Sequence, residues 1–259
     1  MIYDYKYVLV DKIENVAKVT LNTPPLNLNS IASMTELREV FIKLEKDENF
    51  KVIILTGAGN KTFNVGSDLS EFKDLNGRFR EDKFKLELDM MNIIEFISKP
   101  TIAAIEGYCM GGGLELALCC DIRIMSENTK VAMPEINLGV FPAAGGLYRL
   151  PKIISPSKTM EMMYLGESID AQECLRLNLA NKVVPKGEAV DAAMEMANFI
   201  STKPSSALKV IKKGIRTMWL KSSEENYYPN LDAIGDSFSG YNGVEGVDAF
   251  LAKRDPIFI

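Results

Sequence analysis

Residues 106–117 read EGYCMGGGLELA, and this stretch decides the fold. The three glycines 111–113 permit unusual backbone angles and the close approach of a ligand. The apolar residues 114–120 that follow predict a buried helix. Because the first N–H groups of a helix lack partners inside it, they can bind an anion. We therefore expect Glu115, in the first turn, to place a carboxylate beside an anion site.

A second glutamate, Glu135, follows in the sequence MPEI at 133–136. Two carboxylates beside an anion site can remove a proton, deliver one and stabilise an oxyanion between them. The chain has no histidine, which excludes the commonest general base, the Ser-His and Cys-His pairs and most zinc sites. The alternatives are non-catalytic roles. Glu115 would be a charge stabilised by the dipole at the start of a helix, Glu135 would be a solvated loop residue, and the glycines would only allow tight packing.

The cysteines predict neither a metal site nor a disulfide framework, because they lack CxxC spacing and are sparse. We expect no metal and four buried thiols, at Cys109, Cys119, Cys120 and Cys174.

Composition favours a globular, cytoplasmic protein. The 259 residues are 47% hydrophobic, which is enough for one large domain, or one domain with an appendage. The N-terminus shows no secretory pattern, and no apolar run reaches membrane-spanning length. The net charge of -5 argues against a nucleic-acid partner. We therefore expect neither membrane nor nucleic acid among its partners.

Strand and helix patterns alternate along the chain, which predicts an α/β fold with a mainly parallel sheet. A helical region follows, and we place a soft boundary after residue 185, giving a core at 1–185 and a C-terminal helical region at 186–259. Strands are predicted at 7–10, 16–21, 51–56, 101–105, 122–125 and 182–184. Helices are predicted at 31–45 after a Ser30 cap, and at 83–98, 112–120, 189–201, 205–219 and 246–253.

Three blocks resemble the crotonase superfamily, which includes enoyl-CoA hydratases and isomerases. The first is FNVGSDL at 63–69, the second is 106–117 followed by Cys120 and Asp121, and the third is PEINLG at 134–139 followed by Pro142, Gly145 and Gly146. The resemblance covers nearly the whole chain, and three blocks in order are far more specific than one glycine-rich motif. It implies a crotonase-like spiral of β-β-α units with a C-terminal helical trimerisation region, assembled as a homotrimer or homohexamer.

The resemblance also implies roles for individual residues. The N–H groups of Ser67 and Gly112 would form an oxyanion hole for the carbonyl of an acyl-CoA thioester. Glu115 and Glu135 match the acid–base positions of the hydratase branch, where an ionised Glu115 takes a proton from water and Glu135 supplies a proton to C2. No cofactor is expected, since coenzyme A is part of the substrate.

Substrate and CoA contacts are expected from three places in the chain and from the neighbourhood of the attacking water. These are the turn 23–28, the backbone near residues 63–65 and the tail 250–256, where Lys253 would meet nucleotide phosphates, while Ala143 would lie near the water site. The predicted binding residues are Pro25, Leu26, Phe63, Val65, Gly66, Leu69, Ala143 and Lys253. A phosphate loop at 57–62 is rejected, because the GxxxxGK[ST] pattern requires glycine where Leu55 and Asn60 stand.

The preferred prediction is an enoyl-CoA hydratase, a lyase of fatty acid metabolism. One alternative is another crotonase reaction, such as double-bond isomerisation, hydration of a cyclic or dienoyl thioester, or decarboxylation. A remote alternative is a non-catalytic or RNA-associated crotonase-like protein, which would need a basic surface. The acyl-chain length that the pocket accepts is not encoded in any pattern of the sequence.

Overall fold

The structure is a computed structural model that describes residues 3–75, 77–217, 232–234 and 240–259. Within those residues, no helix is both long enough and apolar enough to cross a membrane. The predicted helix at 205–219 is described as far as Thr217, so its last two positions lie outside the described residues.

Six strands form the first sheet, in the order β1-β2-β3-β5-β7-β10. The first two strands pair as an antiparallel hairpin and every later pairing is parallel. The predicted strands at 16–21, 101–105 and 182–184 are confirmed to the residue. The strands are β1 Val8–Ile13, β2 Val16–Leu21, β3 Val52–Gly57, β5 Thr101–Ile105, β7 Ile122–Ser126 and β10 Lys182–Val184.

A second sheet of four short strands lies in the order β4-β6-β8-β9 and is absent from the sequence prediction. Its first three strands are parallel, and β9 pairs antiparallel with β8. Strands of two or three residues carry too little periodicity to be recognised. They are β4 Thr62–Asn64, β6 Tyr108–Met110, β8 Lys130–Ala132 and β9 Ile169–Asp170.

The two sheets are built together as the chain advances. The strand pairs β3-β4, β5-β6 and β7-β8 each place one strand in the first sheet and the next in the second. A helix precedes or follows each pair, which gives the β-β-α spiral that the resemblance implied. The carboxyl ends of the parallel strands β4, β6 and β8 consequently lie at one edge of the second sheet.

Helices are present at all six predicted positions. The starts at 31, 112 and 205 and both ends of 189–201 are confirmed, and the other described ends are shifted. The helices at Gly146–Arg149, Pro156–Leu165 and Ala171–Arg176 were not predicted individually. Ser30 caps α1 as predicted, because its Oγ accepts the N–H of Ser33 and the Ser33 Oγ accepts the N–H of Ser30. The predicted helix 83–98 is divided into a π-helical turn, Arg80–Phe84, and α2, Lys85–Phe96. The remaining helices are α1 Ile31–Lys46, α3 Gly112–Cys119, α4 Gly146–Arg149, α5 Pro156–Leu165, α6 Ala171–Arg176, α7 Ala189–Ser201, α8 Ser205–Thr217 and α9 Tyr241–Leu251. Three-residue to five-residue 3-10 helices lie at Leu69–Lys73, Glu135–Leu138 and Leu150–Lys152.

Two hydrophobic clusters fill the interior on opposite faces of the first sheet. The larger includes α1, α2 and α3, and the smaller is formed by the sheet and the alanines Ala189, Ala193 and Ala197 of α7. Small side chains let α7 approach the sheet closely. The four cysteines are buried free thiols, as predicted. The division into a core at 1–185 and a helical region at 186–259 stays a prediction.

Candidate active site

The candidate site lies where three neighbouring strands of the second sheet end. Ser67 follows β4, Gly112 follows β6 and Glu135 follows β8, each within three residues of the end of its strand. Neighbouring strands lie about 4.8 Å apart. Three successive turns of the spiral therefore deliver two backbone amides and a carboxylate to one place.

The amides of Ser67 and Gly112 are neighbours. A Cβ atom built on Gly112 would lie 3.7 Å from the Ser67 nitrogen, and one on Gly66 would lie 3.0 Å from the Gly112 nitrogen. The backbone N–H of Asn29 donates to the Gly66 carbonyl, and the backbone carbonyl of Asn29 accepts the Asp68 N–H. The intervening Ser67 N–H therefore points away from Asn29. Gly112 opens α3, where a backbone N–H has no partner within the helix. Two backbone nitrogens, of Ser67 and Gly112, therefore lie close together at the ends of neighbouring strands.

Three buried asparagines, Asn27, Asn29 and Asn64, hold the loop that carries Ser67. Asn64 Oδ1 accepts the Gly66 N–H at 2.8 Å, which fixes the orientation of its amide, and its Nδ2 donates to Asn29 Oδ1 at 2.7 Å. The Asn29 Nδ2 then faces Gly112, 3.1 Å from the position of a Cβ there, and has no hydrogen-bond partner among the described residues. A side chain at Gly112 would therefore require Asn29 or the Gly66 backbone to shift by a few tenths of an ångström.

Glu115 is buried and held by a backbone amide. Its Oε1 accepts the Gly146 N–H at 2.7 Å. Burial raises the pKa of Glu115 to about 7, the amides of Gly146 and Ala144 act in the opposite direction, and Glu135 raises it further. A carboxyl with a pKa near neutrality can serve as either base or acid at working pH.

Glu135 opens the 3-10 helix Glu135–Leu138 and faces Gly111. A Cβ on Gly111 would lie 3.0 Å from Glu135 Oε1, so the glycine leaves room for the carboxylate. Its Oε2 is buried without a hydrogen-bond partner among the described residues. Desolvation raises the pKa of Glu135 above its usual range. Both carboxyls are therefore arranged to hold protons more tightly than in water.

A third carboxylate, Glu87, was missed by the sequence reasoning. Ser67 Oγ donates to Glu87 Oε1 at 2.7 Å, and Lys83 Nζ lies 3.6 Å from the same oxygen. Lys83 also bonds Glu71 at 2.8 Å and the Asn29 carbonyl at 2.7 Å. Burial raises the pKa of Glu87 and Lys83 opposes that shift. The i, i+4 spacing of Lys83 and Glu87 is typical of an exposed helix face, so no sequence signal marked them as buried.

The other predicted binding residues divide into three groups. The turn with Pro25 and Leu26 is exposed and is joined to the first block, 63–69, by the Val65 N–H, which donates to the Leu26 carbonyl at 3.3 Å. Leu69 is 49% exposed and Gly66 and Ala143 are more enclosed, whereas Phe63 is fully buried in the core, where its side chain cannot meet a ligand. Lys253 is exposed, and no hydrogen bond or ion pair described in the structure joins it to the other predicted site residues.

The fold is an α/β spiral that brings two adjacent amides, of Ser67 and Gly112, and two carboxyls of raised pKa to neighbouring strand ends. Enzymes use such groups to polarise a carbonyl and to transfer protons beside it. Residues 11–259 match the family described as enoyl-CoA hydratase/isomerase. The chain belongs to this family, the crotonase family that its three sequence blocks resemble.

Individual relatives share nearly the whole length of the chain. It is 35% identical over 249 residues to a short-chain-enoyl-CoA hydratase of Clostridium acetobutylicum, covering 95% of each chain. It is 31% identical over 256 residues to a crotonyl-CoA hydratase of Syntrophomonas wolfei, covering 98% of each. The crystal structure of an enoyl-CoA hydratase from Bacillus anthracis superposes with a TM-score of 0.93 at 32% identity, covering 98% of this chain and 99% of that one.

Proposed function

We propose that the protein is an enoyl-CoA hydratase, a carbon–oxygen lyase that adds water across the C2=C3 bond of a 2-enoyl-CoA thioester. The observation that carries the proposal is the placement of Glu115 and Glu135 around the neighbouring amides of Ser67 and Gly112. The hydratases among the relatives support the same reaction.

In this mechanism, the thioester carbonyl accepts hydrogen bonds from the N–H groups of Ser67 and Gly112. Attack of water on C3 moves the electrons of the double bond toward that oxygen, which forms an enolate. Removing one such donor typically costs about 3–4 kcal/mol of transition-state stabilisation. The amides contribute most when the oxygen is charged, so they favour the transition state over the bound substrate.

The two glutamates balance the protons. Glu115 as carboxylate takes one proton from the attacking water, and Glu135 as carboxylic acid gives one proton to C2. The pair begins and ends the reaction with a single proton, so no external acid or base is consumed.

Burial raises the pKa of Glu115 to about 7 and also raises the pKa of Glu135, and Glu115 is the more deeply buried of the two. An acyl chain that covers the partly exposed Glu135 would desolvate it further and move the proton toward it.

Beyond the reaction itself, we infer that coenzyme A arrives as part of the substrate and that no separate cofactor is used. We infer a homotrimer or homohexamer. We also infer that the protein is cytoplasmic, acts in fatty acid metabolism and binds neither membrane nor nucleic acid. Helices α8 and α9 carry exposed apolar side chains, including Ile211 at 57% and Phe250 at 81%. Contacts between subunits would cover such side chains. Light scattering should give a mass of three or six chains, and a monomer would contradict this assembly.

The test of the function is the hydration of purified crotonyl-CoA and of longer 2-enoyl-CoA thioesters. Loss of the conjugated enoyl absorbance should accompany formation of the 3-hydroxyacyl-CoA, identified by chromatography. A product with a shifted double bond instead of a hydroxyl group would replace hydration with isomerisation. Inactivity toward every enoyl-CoA, with intact acyl-CoA binding, would reject the hydratase.

A further inference from the structure

A buried arginine, Arg149, lies at the end of α4 and makes three hydrogen bonds at once. Its side chain is 2% exposed. Its Nε donates to Glu95 Oε2 at 2.7 Å, Nη1 to the Ala144 carbonyl at 2.8 Å and Nη2 to Asn92 Oδ1 at 2.7 Å. The planar guanidinium presents its donors in a fixed fork, so these contacts lock α2 to the turn at Ala144.

That turn carries the amide that holds Glu115. Ala144 lies two residues before Gly146, whose N–H donates to Glu115 Oε1 at 2.7 Å. A Cβ on Gly145, between them, would lie 1.9 Å from Arg149 Nη1, so the guanidinium packs directly on the backbone of the turn. The position of the Gly146 N–H therefore depends on the position of Arg149.

Glu95 is in turn held from the opposite side by the C-terminal region. Arg216 of α8 lies 3.4 Å from Glu95 Oε1 and donates to the carbonyl of Cys119, the last residue of α3, at 2.9 Å. It also pairs with Asp121 at 2.9 Å. One carboxylate thus links two arginines, and both arginines contact segments that carry or hold Glu115.

We propose that Arg149 is a positioning residue for Glu115, because it fixes the turn 144–146 that presents the Gly146 N–H to the catalytic carboxylate. The inference rests on the proposed hydratase function and deepens it. Arg149 acts through the turn and does not touch the reacting atoms. Lysine at this position would keep the charge but lose the fork that bonds three acceptors.

The consequence is a change in both rate and titration. A small misplacement of a catalytic group can cost as much as about 100-fold, so Arg149→Lys should lower kcat by about 10- to 100-fold with little change in KM. The Gly146 N–H stabilises the ionised form, and its loss raises the pKa of Glu115. Glu135, Glu87 and Tyr148 also interact electrostatically with Glu115, and they are unchanged in the variant. The alkaline limb of kcat/KM should therefore move to higher pH.

The matched control is Arg176→Lys. Arg176 also binds a carboxylate. Its Nε and Nη2 donate to Glu173 Oε2 and Oε1 at 2.6 and 2.7 Å, but its side chain is 67% exposed on α6. This variant should keep the rate and pH profile of the wild type. If Arg149→Lys fails to fold, Asn92→Ala is the second variant, because it removes one hydrogen bond to the same guanidinium. It should move the alkaline limb of kcat/KM to higher pH by a smaller amount than Arg149→Lys.

A second readout separates this inference from the hydratase assignment. Protein labelled with carbon-13 at the glutamate side-chain carboxyl reports the titration of Glu115 by NMR, and the signal is assigned by its loss in Glu115→Gln. If the wild type hydrates no 2-enoyl-CoA thioester, the proposed function fails, yet the Glu115 midpoint should still rise in Arg149→Lys. A lower kcat or melting temperature with an unmoved Glu115 midpoint would overturn the positioning role.

Discussion

The two carboxyl groups proposed as catalytic stand in contrasting surroundings. Glu115 belongs to α3, in which all eight residues are buried, and an amide already holds its carboxylate. Glu135 belongs to a 3-10 helix in which no residue is buried, and exposed apolar side chains follow it at Ile136, Leu138 and Val140. The protein thus completes the environment of Glu115 during folding, whereas the environment of Glu135 needs the bound substrate.

Substituting each carboxyl in turn gives the largest expected effect. Glu115→Gln and Glu135→Gln should each lower kcat by at least about 100-fold, since each acid–base role typically contributes 10²- to 10⁴-fold. Steady-state hydration of crotonyl-CoA, with circular dichroism as the control for folding, measures this. Near-native turnover of Glu115→Gln would break the comparison and favour an isomerase mechanism that uses Glu135 alone.

The pH dependence sharpens the contrast further. Hydration needs one proton on the pair, so kcat/KM should be bell-shaped. It should fall about tenfold per pH unit above the pKa of Glu115, which is about 7, as the pair loses its proton. It should also fall on the acid side, as a second proton enters below the raised pKa of Glu135.

Because substrate covers Glu135, the alkaline limb of kcat should lie at higher pH than that of kcat/KM. Initial rates at low and saturating crotonyl-CoA from pH 5 to 9 compare the two limbs. Coincident limbs would mean that substrate does not change the surroundings of Glu135.

A smaller shift should follow from Glu87→Gln. The negative charge of Glu87 raises the pKa of Glu115, and glutamine removes that charge while keeping an oxygen that can accept the Ser67 hydroxyl. The alkaline limb of kcat/KM should then move to lower pH, opposite to the shift expected for Arg149→Lys. The carbon-13 titration of Glu115 checks the direction, and a rise in its midpoint would contradict the electrostatic assignment.

The smallest effect is expected far from both carboxyls, at Lys253. If this exposed lysine meets CoA phosphates, Lys253→Ala should raise KM by a few-fold, since exposed ion pairs contribute about 0.2–1 kcal/mol, and leave kcat unchanged. Raising the salt concentration should weaken wild-type binding more than binding to the variant. Equal KM values and equal salt dependence would remove Lys253 from the CoA site.

Sequence patterns predicted the long apolar strands of the first sheet and most helices, because a continuous run or a 3.6-residue period extends over many residues there. They missed the second sheet, whose strands are two or three residues long, although that sheet positions Ser67, Gly112 and Glu135. The two glutamates were identified because motifs mark them.

Glu87 and Arg149 were not identified, because charged residues in helices are usually exposed. Their burial depends on partners that lie 20 and 54 residues away in the sequence. Only the folded chain brings those partners together.

The second sheet and the segment between β4 and α2 contribute different properties to the protein. The spacing of Ser67, Gly112 and Glu135 is set by neighbouring strands, whereas in the segment between β4 and α2 the ring of Phe72 contacts the rings of Phe79 and Phe84. The same segment carries Glu71 and Lys83, and Lys83 bonds the Asn29 carbonyl and lies beside Glu87. New acyl preferences can therefore be sought by exchanging the aromatic residues of this crossover while Glu71 and Lys83 are kept, so that the register of β4, β6 and β8 and the contacts of Ser67 are retained.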